Sequence, residues 1–277
     1  MALDMGYIGL GNIGLPMAER LLGPDYDLTV FDVDEAAVKG FAGRARIASS
    51  VADVGRSAAL VGICVRDDAD VRQVVTALLA TMRSGLVAIH STVRPSTVTA
   101  LAEQAAAQGV TVIDAAVTGG AEGARNGRLT CMVGGEAAAI ERARPLLSAY
   151  CSNIVHAGAA GQGMALKIVN NLVTYVELLA GVEAYRLAAA AGLDARLLSE
   201  VMTDNGNLTP AMRAYTDFRA SGPAQMGTDA FRRTQEALAT LAEKDLSLAR
   251  ELAGECAAAV PLGAATASLF REAVLRI

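Results

Sequence analysis

The chain is short of histidine, cysteine and lysine, and it lacks any long uninterrupted apolar run. Only His90 and His156 occur in 277 residues, so a histidine-based metal centre is not expected. The four cysteines, Cys64, Cys131, Cys151 and Cys256, lie far apart with no C-x-x-C spacing. They read as buried thiols in a reducing cytoplasm, not as disulfides or zinc ligands. No stretch reaches the roughly 18 apolar residues of a membrane span. Asn170 and Asn171 interrupt one candidate, and Pro261 with Gly263 interrupts the other. Asp4 and the lack of a basic leader speak against a secretory signal. With a net charge of -5, nothing in the overall field attracts nucleic acid or an anionic membrane. Of 24 basic residues only Lys39, Lys167 and Lys244 are lysines. A lysine kept against such a bias is a candidate for chemistry that arginine cannot do.

What is present is apolar: 53% of residues are hydrophobic and the mean hydropathy is +0.36. At roughly 150 residues per domain, the length implies two domains. Met5–Ile8, Leu28–Phe31, Ala59–Val65, Leu86–His90, Thr111–Asp114 and Leu129–Val133 read as strands. Pro16–Leu22, Ala69–Met82 and Pro95–Gln108 between them read as helices. Such alternation predicts an α/β fold, a Rossmann-type doubly wound and mostly parallel sheet, over residues 1–161. Residues 162–277 are expected to be all-helical. They open with an apolar helix, Met164–Ala191, that is suited to burial between domains or subunits. Asp194–Met202, Pro210–Tyr215, Ala230–Leu252 and Leu262–Arg276 complete the helical set.

Gly9, Gly11 and Gly14 form G-x-G-x-x-G between a predicted strand and a predicted helix. The first glycine permits the turn, the second lets backbone approach a pyrophosphate, and the third lets helix pack on strand. The amides of the loop and helix start, those of Asn12 and Ile13 among them, then face the phosphates. Asp32 closes the next predicted strand, where a carboxylate accepts both ribose hydroxyls. A 2′-phosphate there would meet Asp32, Asp34 and Glu35 before any basic residue, which favours NAD over NADP. Alternatively, Asp32 caps a helix that begins at Glu35.

The segment Tyr7-Ile-Gly-Leu-Gly-Asn-Ile-Gly-Leu-Pro-Met-Ala18 resembles the opening of the β-hydroxyacid dehydrogenases, the 3-hydroxyisobutyrate dehydrogenase family. Four further segments are similar in the same order: Ser91-Thr92 with Pro95, Asp114-Ala-Ala-Val-Thr-Gly-Gly120, Gly161-x-Gly163 with Lys167 and Asn170-Asn171, and Lys244-Asp245. The resemblance implies Lys167 as acid/base on the substrate hydroxyl and Asn171 as a substrate ligand. It implies Thr118, Gly119 and Gly120 as a carboxylate cradle. Val65, Arg66, Thr92 and Lys244 would line the dinucleotide, while Asp245 is expected to be structural. Lys167 and Asn171, four apart, share one helix face. A lysine near pKa 10.4 must fall to roughly 7–8 to act as a base, on the order of 4 kcal/mol. Ala116, Thr118 and Arg66 stand where the family usually has Pro, Ser and Pro, and Ile89 where it often has an acid. The extra methyl of Thr118 narrows the pocket.

The expected activity is reversible NAD-dependent oxidation of a small β-hydroxy acid, by a cytoplasmic homodimer or homotetramer. The alternatives are an NADP-dependent semialdehyde or imine reductase of the same architecture, and a non-catalytic dinucleotide-binding protein. Lys167 and Asp32 argue against the first, and the intact Thr118 loop against the second.

Overall fold

The computed structural model describes residues 2–276. By internal contacts the chain divides into one unit up to Lys167 and a second from Ile168.

The first unit runs β1 (Leu3–Ile8), α1 (Gly14–Glu19), β2 (Tyr26–Phe31), α2 (Glu35–Val38), a 3-10 turn (Lys39–Phe41), β3 (Arg46–Ile47), α3 (Val51–Ser57) and β4 (Leu60–Ile63). It continues with α4 (Asp68–Leu79), β5 (Gly85–Ile89), α5 (Pro95–Ala106), β6 (Val110–Thr118), α6 (Gly120–Arg125), β7 (Leu129–Gly134), α7 (Ala137–Leu147) and β8 (Cys151–Gly158). The eight strands form one sheet in the order β3-β2-β1-β4-β5-β6-β7-β8. All neighbours are parallel except β6 and β7. The expected doubly wound sheet is therefore present.

Helices cover both faces, so the central strands are apolar on both sides. Tyr7, Leu86 and Ala88 pack into the core on one face, while Ile8, Val87 and Ile89 pack into the core on the other. Helix starts follow local chemistry: the Ser50 and Asp67 side chains accept amides at the heads of α3 and α4, and Pro95 opens α5. From β1 the chain winds outward to β2 and β3, then returns to β4 on the other side. That reversal leaves a crevice at the carboxyl ends of β1 and β4.

Two strands carry no readable signal. β3 has two residues, and β8 lies at the sheet edge, where Ser152 and Asn153 spoil the alternation. The register between β7 and β8 breaks twice, at Leu129/Thr130 and at Val133/Gly134.

The second unit contains most of α8 (Gln162–Ala190), with α9 (Ala195–Asp204), α10 (Pro210–Met226), α11 (Thr228–Glu255) and α12 (Pro261–Leu275). Tyr175, Leu178, Leu179 and Val182, spaced at helical period on α8, bury against Ala239, Ala242, Leu246, Phe270 and Val274. α8 is long and apolar enough by composition to cross a membrane, and part of its apolar surface lies in this core. It is not buried on every face as its composition suggests: Val169, Val173 and Leu187 are exposed. α10 runs well past Tyr215 and through Pro223. Gly222 makes room there for the ring of Phe231, which a Cβ would meet at 2.6 Å.

Candidate functional site

The glycine loop is built by exclusion. Gly9 has φ +93°, and a Cβ on it would overlap the carbonyl oxygen of Cys64. A Cβ on Gly14 would overlap the Gly9 carbonyl oxygen, so α1 can start beside the loop only without a side chain. Gly11 differs from both. A Cβ there meets no protein atom within 4 Å and would project into open space. This is the geometry of a backbone kept bare for a ligand to approach. Asn12 and Ile13 complete the loop before α1.

Asp32 directly follows β2 and is half-buried. Its Oδ2 accepts the Leu10 amide at 2.5 Å and its Oδ1 accepts the Asp34 amide at 2.8 Å. The carboxylate thus fixes the glycine loop from the neighbouring strand. The cap of α2 is Asp34, which accepts the Ala36 amide, so the alternative role for Asp32 is excluded. No basic residue is nearby in sequence before Lys39, and Val33 between the acids is 88% exposed.

Across the crevice, the Val65 amide donates to Ser91 Oγ at 2.8 Å, joining the loops after β4 and β5. Thr92 follows, half-buried. The Arg66 guanidinium pairs with Asp70 through Nε to Oδ2 at 2.7 Å and Nη2 to Oδ1 at 3.2 Å. Its side chain is 85% exposed. Beneath lies His90, wholly buried, with Nδ1 2.7 Å from the Ala115 carbonyl and Nε2 2.9 Å from the Tyr150 hydroxyl. A carbonyl only accepts, so Nδ1 carries the proton and Nε2 accepts from Tyr150. Burial lowers the His90 pKa to about 4 and pushes the Tyr7 and Tyr150 phenols well up.

β6 extends four residues past the end of β5, pairing there only with β7, and this overhang ends in Thr118. Gly119 and Gly120 follow at φ +121° and +65°. They turn the chain from β6 into α6. Lys167 lies in the second turn of α8, half-buried. Asp114 on β6 is fully buried, and its carboxylate accepts the amides of Gly161 at 2.8 Å and Met164 at 2.6 Å. Burial raises its pKa while these amides oppose the rise.

In the helical unit the buried Asn171 donates through Nδ2 to Asp245 Oδ2 at 2.7 Å. The Tyr175 hydroxyl donates to the same oxygen at 3.0 Å, and Lys244 Nζ stands 3.3 Å from Oδ1. Burial and the adjacent Asp245 charge push the Tyr175 phenol far up. Two residues singled out by sequence, Asn171 and Lys244, are thus joined through Asp245. Asp245, expected to be structural, is buried and holds Asn171, Tyr175 and Lys244 together. Tyr175 carries no sequence signal beyond its place one turn after Asn171. Cys256 departs from the expectation of burial and is exposed, and Cys64 is partly so. Among the described residues no cluster of three His, Cys, Asp or Glu side chains fits a metal ion.

A bare glycine loop at the switch point of a doubly wound sheet, anchored by an acid on β2, defines a nicotinamide dinucleotide-dependent oxidoreductase, and the comparisons with known proteins agree. Residues 4–158 match the model described as the NAD binding domain of 6-phosphogluconate dehydrogenase. Residues 161–276 match the one described as NAD-binding of NADP-dependent 3-hydroxyisobutyrate dehydrogenase. The chain is 36% identical to the NAD-dependent L-serine dehydrogenase of Pseudomonas aeruginosa, over 97% of this chain and 91% of that one. It is 35% identical to the 3-hydroxyisobutyrate dehydrogenase of the same organism, over 96% and 91%. A solved structure, Mycobacterium tuberculosis 3-hydroxyisobutyrate dehydrogenase with L-serine, superposes with a TM-score of 0.81 at 30% identity, covering 98% of this chain and 94% of that one. The chain belongs to the 3-hydroxyisobutyrate dehydrogenase family of β-hydroxyacid dehydrogenases.

Proposed function

We propose that this protein uses NAD to oxidise a small β-hydroxy acid reversibly to its semialdehyde or keto acid. The observation that carries the reading is the pair on α8. Lys167 and Asn171 stand one turn apart on one helix, and Asn171 is oriented by the buried Asp245. Bound NAD supplies the hydride acceptor at C4 of its nicotinamide. The chain's own groups do the rest. Gly9, Gly11 and Gly14 with the amides of Asn12 and Ile13 bind the pyrophosphate, and Asp32 accepts from the ribose hydroxyls. Val65, Arg66, Thr92 and Lys244 are assigned to the dinucleotide. Thr118 and the Gly119 and Gly120 amides hold the substrate carboxylate. Asn171 donates to the substrate, and Lys167 Nζ accepts the hydroxyl proton as hydride leaves the carbon. General acid–base catalysis of this kind contributes roughly 100- to 10,000-fold.

Asp32 supports NAD: its carboxylate and those of Asp34 and Glu35 oppose a 2′-phosphate. The names of the relatives favour 3-hydroxyisobutyrate and L-serine as the first acids to try. Purified protein is assayed for NADH and NADPH formation over a panel of short hydroxy acids that includes both. Turnover with NAD on at least one, lost roughly 100-fold or more in Lys167→Ala, is the expected result. Lys167→Ala at wild-type turnover removes the assignment of the base.

A further inference from the structure

Asp114 has no part in the chemistry above, yet it is among the most tightly held groups in the first unit. On β6 it pairs across the antiparallel register with Gly134 of β7. Its side chain reaches over that glycine to the head of α8, where it accepts the Gly161 and Met164 amides, with the Gly163 amide also directed at it. The path exists because of two glycines. A Cβ on Gly134 would overlap Asp114 Oδ1. A Cβ on Gly163 would stand 2.6 Å from the Met132 carbonyl oxygen and 2.7 Å from the Gly134 nitrogen. The first turn of α8 therefore sits directly on the backbone of β7. A buried carboxylate ties down the amides that a helix start leaves unpaired, and its charge complements the helix dipole. Lys167 follows Met164 by three residues, one turn further along the same helix.

We infer that Asp114 is the positioning residue for Lys167: by clamping the first turn of α8 to β6 and β7 it fixes where the lysine amine stands relative to Thr118 at the end of β6. The inference rests on Lys167 being the acid/base. Asn at position 114 keeps the shape but replaces one acceptor oxygen by a donor that faces an amide. A misplacement on the ångström scale costs up to about 100-fold in rate. Asp114→Asn is therefore expected to lower kcat at least about tenfold, while the hydroxy-acid KM and the NADH Kd stay within about threefold. Hydrogen exchange of the amides from Gly161 to Met164 should accelerate in the variant. Gly134→Ala, which keeps the carboxylate but obstructs its path, should give the same split.

The inference is overturned by a folded Asp114→Asn protein with wild-type kcat while Lys167→Ala is inactive, a result that leaves the acid/base reading standing. Lys167→Ala at full turnover overturns both, and is recognised without the Asp114 variants. If neither Asp114→Asn nor Gly134→Ala folds, wild-type exchange decides. Protection at Gly161–Met164 equal to that of the central strands supports the clamp, and rapid exchange there refutes it.

Discussion

The two units assign function to different parts of the chain. In the sheet unit the groups proposed to meet ligands are mostly backbone: the loop of Gly9, Gly11 and Gly14, and the turn of Gly119 and Gly120, where positive φ at Gly9, Gly119 and Gly120 and close neighbours at Gly9 and Gly14 call for glycine. In the helical unit they are side chains: Asn171 and Lys244 arranged around one buried carboxylate 74 residues from the asparagine in sequence. Backbone geometry of the first kind is enforced locally, and failure there comes from adding atoms. A side-chain arrangement of the second kind is enforced by packing across helices, and failure there comes from removing them.

Deletion and addition should thus break the units differently. The largest effect is expected from Asp245→Ala. Asp245 is 2% exposed, and its loss leaves the Asn171 amide and the Tyr175 hydroxyl buried without their acceptor. Removing one partner of a buried charged network costs about 3–5 kcal/mol. Urea denaturation should read that loss, with the mutant unfolding in two steps if the helical unit fails first.

Next comes pH, which probes the sheet unit through His90. Its folded pKa of about 4 lies below the free value of 6.5, so between those values the unfolded chain takes up a proton that the folded chain refuses. The contribution is complete above about pH 6.5 and is lost progressively as pH falls to about 4, by about 3 kcal/mol in all. Denaturation midpoints across that range should fall with acid, and the His90-dependent part of the slope should vanish in His90→Gln.

Smallest in stability, and sharpest as a contrast, is Gly11→Ala. A methyl there touches no protein atom, so unfolding free energy should stay within about 1 kcal/mol of wild type. NADH affinity should drop at least about tenfold if the open space at Gly11 takes the pyrophosphate as proposed. Unchanged affinity would show that the loop is not the phosphate cradle.

The same asymmetry explains what was legible in the sequence. The glycine loop, Asp32, the Thr118 turn and the strand–helix alternation are local patterns, written within a few residues of where they act. The loop over Asp32 could be placed, but its grip on the Leu10 amide could not, because that bond crosses two strands. Lys167 and Asn171 were legible as an i,i+4 pair, whereas the role of Tyr175 and Asp245 needed α11 laid against α8. Asp114 stood in a readable motif but pointed at nothing until β7 supplied Gly134. β8 escaped notice because an edge strand has no second neighbour to impose alternation.

That edge strand has a consequence for how the protein behaves in crowded solution. One margin of the sheet is β3, two residues long and too short to recruit another chain. The other margin is β8, eight residues long with Val155 exposed. Its register against β7 breaks twice, and irregularities of this kind generally bend a strand and increase its twist. An irregular rim with Ser152 and Asn153 at its start is a poor template for strand addition. The irregularity that hid β8 from a reading of the sequence is thus also its safeguard against edge-to-edge aggregation.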